Sequence, residues 1–143
     1  MIWLQVMWKF YAILSAIFAA MTAILAKVGV KGISGNVATA IRTAVVLIMA
    51  WGIVLISGQL KETKELSKTN LIFLVLSGLA TGFSWIFYFK ALETGDVSKV
   101  APIDKLSVVF VMIFSFLLLK EPMDIKTVIG GTLIAAGAIA LVW

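Results

Sequence analysis

The chain contains no cysteine and no histidine, and only two of its 143 residues are proline. Without cysteine there is neither a disulfide framework nor a thiolate metal site. Without histidine the commonest metal ligand and general base is missing. No phosphate-binding loop, nucleophile elbow or HExxH pairing occurs either. Enzymatic chemistry, a bound metal and a cofactor are therefore not expected. Charge is also scarce, at 13% of residues against 62% hydrophobic. Soluble domains run at about a quarter charged and about half apolar. With a mean hydropathy of +1.13, the composition is that of an integral membrane protein.

The net charge of +5 raises nucleic acid or anionic lipid as a partner. Eleven lysines and one arginine are, however, spread over loops and helix ends without forming a basic block. Lysines reaching out to lipid headgroups explain most of them, so a nucleic-acid partner is not expected.

Five apolar stretches fill most of the chain. A hydrocarbon core of about 30 Å needs about 20 helical residues, which predicts helices over residues 5–26, 36–57, 69–92, 98–119 and 125–143. Lys9 gives the first stretch a basic flank, but its apolar run is long and four more spans follow, so it reads as an uncleaved helix. The runs do not alternate in polarity, as a membrane barrel requires. The expected fold class is thus all-α integral membrane, a five-transmembrane-helix bundle forming a single domain over residues 1–143. Its connections carry turn formers or charges, such as Gly29-Val30-Lys31-Gly32 and the segment 61–68.

At about 100° per residue, the few polar residues fall into stripes. Asn36, Thr39 and Thr43 share a face of the second helix, with Arg42 on its flank. Ser77, Thr81, Ser84 and Tyr88 line the third, Asp104, Ser107 and Ser115 the fourth, and Tyr11, Ser15 and Thr22 the first. The fifth carries Gly130, Gly131, Ala135, Ala136 and Gly137 instead, suited to close packing. Any single Ser or Thr can satisfy itself on its own backbone. Four coincident stripes favour a lined cavity.

Charges inside such helices are costly, roughly 3 kcal/mol on insertion scales, and persist where they meet a partner or a watery path. Arg42 and Asp104 each lie about six residues inside a predicted helix start, roughly 9 Å along the axis. A pair between them would neutralise both, leaving Lys90 and Lys105 as surplus positive charge. Pro102 removes a helical donor and breaks or bends the fourth helix beside them, a common mark of binding sites in transporters. The alternative is that this helix starts only near Pro102. Trp85 and Tyr88 stand near the same mouth, as substrate contacts or as part of an interfacial belt. Trp3, Trp8 and Trp143 read as belt residues, and Lys27 and Lys90 as snorkelling ones.

Six basic residues fall on the N-terminal side of the membrane and six on the other, or six against four without Arg42 and Lys105. The positive-inside rule then gives a weak preference for a cytoplasmic N-terminus. Near parity also suits insertion in both orientations, in which two opposed copies recreate an inverted repeat.

Several segments resemble the EamA-type half of the drug/metabolite transporter superfamily, and more closely its short five-helix bacterial/archaeal transporter group. They are Ala19-Ala20-Met21-Thr22-Ala23-Ile24-Leu25-Ala26-Lys27, Ala38-Thr39-Ala40-Ile41-Arg42-Thr43, Gly82-Phe83-Ser84-Trp85, and the run from Ala101-Pro102 to Val109. The Leu119-Lys120-Glu121-Pro122 turn and the glycines of the fifth helix complete the match, which covers essentially the whole chain. The resemblance implies export or exchange of small metabolites, amino acids or drugs, driven by an ion gradient. Full-length members resemble two such halves in inverted orientation, which implies a homodimer here, with an antiparallel arrangement open to it. The membrane glutamate of the small multidrug-resistance cousins is missing, since residues 16–26 hold no acid. If protons drive transport, Asp104 is the expected carrier, with Glu93 and Glu121 as other candidates.

The expected function is therefore secondary transport of small organic molecules by alternating access, in a prokaryotic cytoplasmic (inner) membrane. Arg42 and Lys105 would meet an anionic group, Asp104 would pair with Arg42 or hold a proton, and Trp85 and Tyr88 would touch the apolar part. Asn36, Thr39, Thr43, Ser84 and Ser107 would line the path. Two other readings are a non-transporting accessory subunit or scaffold, and a translocase of lipid precursors.

Overall fold

A computed structural model of the protein describes the backbone of residues 2–142 and the side chains of residues 7–142. Trp3 and Trp143, expected in the aromatic belt, lie outside the residues whose side chains are described. The elements in chain order are α1 (Ile2–Gly29), α2 (Gly35–Ile56), a 3₁₀ segment (Gln59–Glu65), α3 (Lys68–Thr94), α4 (Val97–Asp104), α5 (Leu106–Leu118) and α6 (Ile125–Ala140). No strand occurs among the described residues, and the fold is the expected all-helical membrane one.

Four stretches are long and apolar enough to cross a bilayer: Met7–Gly29, Gly35–Ile56, Lys68–Thr94 and Val97–Leu118. The fifth expected span is shorter than the sequence predicts. Helix α6 has 16 residues, a rise of about 24 Å, and it leaves helical geometry at Leu141 rather than running on to residue 143. Its N-terminus is fixed by Asp124, whose side chain accepts from the Thr127 N–H.

The fourth predicted helix is broken, and the break falls after Pro102 rather than at it. Helix α4 begins at Val97, well before the proline, so the alternative start near Pro102 is set aside. At Lys105 the backbone N–H is shared between the carbonyls of Ala101 and Pro102, at 3.3 and 3.1 Å, and Val108 bonds back to Lys105 at 3.0 Å. These short-range bonds tighten the chain into one 3₁₀-like turn between α4 and α5. Proline has no N–H to continue the ladder, and the turn absorbs the interruption. The charged connection after α2 is likewise ordered into the 3₁₀ segment, entered through Gly58 at a φ of 71°.

The chain divides into two compact units. One comprises α1 up to Leu25 together with the chain from Thr94 on, and the other Ala26–Glu93. In the first, α4, α5 and α6 pack against one another. Gly131 of α6 is buried there, with a would-be Cβ 2.9 Å from Met112 Sδ. In the second, the α1–α2 turn and α2 meet the C-terminal end of α3, burying Val30, Gly35, Ala38, Thr39, Phe89 and Leu92. Most large apolar side chains of the long helices point outward, as with Ile48 at 73% and Leu133 at 68% exposure. Such surfaces suit lipid, and close packing of small residues does the joining.

Candidate functional site

The second unit builds its site from two matching stripes. On α2, Gly35, Thr39 and Arg42 recur at four- and three-residue spacing. On α3, Trp85, Phe89 and Glu93 recur every four. Each set lies on one helix face. The helices run in opposite directions, so Gly35 meets Phe89 and Glu93 while Arg42 meets Trp85 and Phe89.

Arg42 is half-buried, with its guanidinium carbon 4.3 Å from the centre of the Trp85 ring and 5.7 Å from that of Phe89. Both distances lie within the range at which a cation is drawn to an aromatic face. Among the described residues of this unit, no carboxylate lies within ion-pair distance of Arg42. The rings thus hold the charge while its planar fork of N–H donors is left for an acceptor of another kind. Tyr88 packs edge-on against Phe89, their centroids 6.2 Å apart.

The hydroxyl stripes turn inward on their own helices. Thr39 donates to the Gly35 carbonyl at 2.7 Å, Thr43 to Thr39 at 2.8 Å, and Thr81 to Ser77 at 2.9 Å. This is the self-satisfied arrangement, leaving lone pairs rather than protons for any ligand. Thr39 is buried; Asn36, Thr43 and Ser84 are exposed on their helices.

In the first unit, Asp104 ends α4 and Lys105 forms the turn that follows. Lys105 Nζ donates to Asp104 Oδ2 at 3.3 Å, with side chains 57% and 36% exposed. Ser107, the second residue of α5, is exposed. The structure thus gathers Arg42, Trp85, Tyr88 and Thr39 in one unit and Asp104, Lys105 and Ser107 in the other.

A paired membrane-span architecture, a lone stacked arginine and a proline-broken helix describe a class of protein as well as a chain. The family model for EamA-like transporters matches residues 6–143. The chain belongs to the EamA-like transporter family. It is a multi-pass membrane transporter. A Sinorhizobium sp. protein named "Uncharacterized transporter in cobO 3'region" is 50% identical over 134 residues, covering 94% of this chain and 95% of that one. No solved structure matches.

Two residues of this EamA-like chain do more than the sequence reading gave them. Lys27, read as snorkelling, donates from Nζ to the Leu92 carbonyl at 2.6 Å, in the last turn of α3. Glu93, on the same turn, accepts the Gly35 N–H at the start of α2. A cation thus meets a helix C-terminus and an anion a helix N-terminus, as the macrodipoles favour. The legible signal was the glycine: Gly35 opens a helix and continues the Thr39–Arg42 face, where a backbone must come close. A Cβ there would lie 2.7 Å from Glu93 Oε1 and 3.0 Å from the Phe89 carbonyl carbon.

Proposed function

We propose that this EamA-like transporter moves small organic metabolites or drugs across the cell membrane as an exporter or exchanger, by alternating access. The observation that carries this reading is Arg42, a charged side chain within a membrane-spanning helix, laid on Trp85 at 4.3 Å. A desolvated guanidinium is costly in a bilayer unless it has work to do. Its fork suits a carboxylate or a similar planar anion, and the flanking rings suit an apolar remainder. Lys105 supplies further positive charge for the same class of substrate. Asp104 is the proposed proton carrier, and no step of catalysis is assigned to any residue.

The chain is taken to act as one domain and as a homodimer, with two copies in opposite orientation completing the path. The near balance of basic residues between the two sides and the matching length of the Sinorhizobium relative support a half-length transporter. The decisive experiment is Arg42→Gln in proteoliposomes, screened against a panel of small carboxylates and amphipathic drugs. Flux should vanish while the variant still folds and inserts. Unchanged flux overturns the role of Arg42, and absent flux in the unaltered protein favours the scaffold.

A further inference from the structure

Resting on that reading, we infer that Lys27 and Glu93 are a crossed charge clasp which gates the α2–α3 end of the Arg42 site. The α1–α2 turn is anchored twice to one turn of α3. Lys27, just before the turn, holds the Leu92 carbonyl at 2.6 Å. Gly35, just after it, gives its N–H to the Glu93 carboxylate. Leu92 and Glu93 are adjacent, so both ends of the nine-residue connection from Lys27 to Gly35 are tied to the same point.

Three observations make this a gate rather than an ordinary cap. First, each tie is a hydrogen bond between a charged side chain and a backbone group, a kind about twice as strong as a neutral one yet released by neutralising one group. Secondly, the connection carries two glycines between its tied ends. It runs Gly29-Val30-Lys31-Gly32, with Gly32 in the left-handed region at φ 79°, where glycine alone is unstrained. Thirdly, a cleft of about 300 Å³ already lies beneath it, lined by Lys27, Val30, Lys31, Ile33, Leu92 and Glu93. Buried Thr39 is the next residue inward on the α2 stripe, one turn before Arg42. With the clasp closed, Thr39 is buried. With it open, the cleft extends along the stripe to the guanidinium, about 10 Å from Gly35 along the axis.

The test uses the absence of cysteine from the chain. Thr39→Cys is introduced alone, and a membrane-impermeant thiol reagent is applied to the purified protein in liposomes. The labelling rate is compared with the clasp intact, with Glu93→Gln and with Lys27→Met. Lys64→Cys, in the 3₁₀ segment, reports any global change. The expected result is a rise of about tenfold or more at Thr39→Cys in each variant, the factor set by losing one hydrogen bond to a charged group, with Lys64→Cys unchanged. Rates within twofold of the intact clasp in the variants that fold overturn the gate. A parallel rise at Lys64→Cys also overturns it, since that reports loosening of the whole fold. No substrate is needed, so a failed gate leaves the Arg42 reading standing. A working gate with undiminished flux in Arg42→Gln removes that reading alone.

Discussion

Arg42 of α2 rests on Trp85 of α3, guanidinium carbon to ring centre 4.3 Å, one helical turn along α3 and about two along α2 from the contact between Phe89 and Gly35. The position of the charge is thus set by a ring and not by a counter-ion within its unit. Trp gives the strongest cation–π face of the aromatic residues, worth about 0.5–2 kcal/mol depending on exposure. Arg42→Lys keeps the charge but loses the planar fork and its stacking. In flux assays it should raise the half-saturating substrate concentration by about tenfold, equivalent to roughly 1.4 kcal/mol. Trp85→Phe should shift it in the same direction by a smaller factor.

Two buried glycines should respond differently to a methyl group. At Gly35 the new Cβ meets backbone, the Phe89 carbonyl carbon at 3.0 Å and the Lys90 nitrogen at 3.1 Å. Backbone cannot swing aside, so Gly35→Ala should lower stability by about 1–3 kcal/mol. At Gly131 the only close atom among the described residues is the sulfur of Met112, the far end of a flexible side chain. Gly131→Ala should therefore cost under about 1 kcal/mol, since alanine also favours the helix. Thermal melting of both variants in detergent checks the contrast.

Lys120 is the one non-glycine residue at positive φ among those described, at 55°. It follows the C-terminal end of α5, where the Glu121 N–H reaches back to the Ser115 carbonyl at 3.2 Å, an arrangement that favours glycine. Lys120→Gly should leave stability unchanged or raise it by about 1 kcal/mol through relief of the left-handed conformation. Lys120→Val, with a branched Cβ, should lower it. Melting temperatures would separate the two.

Asp124 gives the fold one defined dependence on pH. The hydroxyl of Thr127 donates to its carboxylate at 2.5 Å and the Thr127 N–H at 2.8 Å. Chiefly through the hydroxyl, these bonds hold the carboxyl below its usual range. A depressed folded-state value stabilises fully above the unfolded value, near 4, and the contribution fades as pH falls through the folded value. Melting temperature should therefore drop on acidification below about pH 4. Asp124→Asn keeps a capping side chain and should remove this component of the pH profile.

Much of the fold was legible because lipid leaves few options. Continuous apolar runs have to be helices, and the predicted boundaries of the second and third spans fall within two residues of those observed. Pro102 foretold the interruption in the fourth, although the turn falls three residues later, at Lys105. Length was misjudged in the last helix, because hydropathy does not register where a capped start and an early turn stop it. Arg42 and Trp85 were each legible as candidate site residues, but their stacking was not, since the sequence reading set Arg42 against Asp104 and gave Trp85 to the substrate or an interfacial belt. The roles of Lys27 and Glu93 were not, since each bonds to backbone across 58 residues or more of sequence, and side-chain patterns carry no record of such partners. The threonine stripe follows a reading the sequence left open: Thr39 and Thr43 share a face, with their hydroxyl protons committed to their own helix.

The brevity of α6 reaches beyond the protein. Its 16 residues fall several Å short of a typical hydrocarbon core, so if it spans as the sequence reading expects, the bilayer around it thins, or Lys120 before it and Lys126 in its first turn draw toward the headgroups. Hydrophobic mismatch of this kind costs fractions of a kcal/mol per Å. Membranes with shorter acyl chains relieve that penalty and thicker, sterol-like ones increase it, which makes bilayer thickness a variable in how readily this helix settles and ties the working state of the chain to the lipids around it.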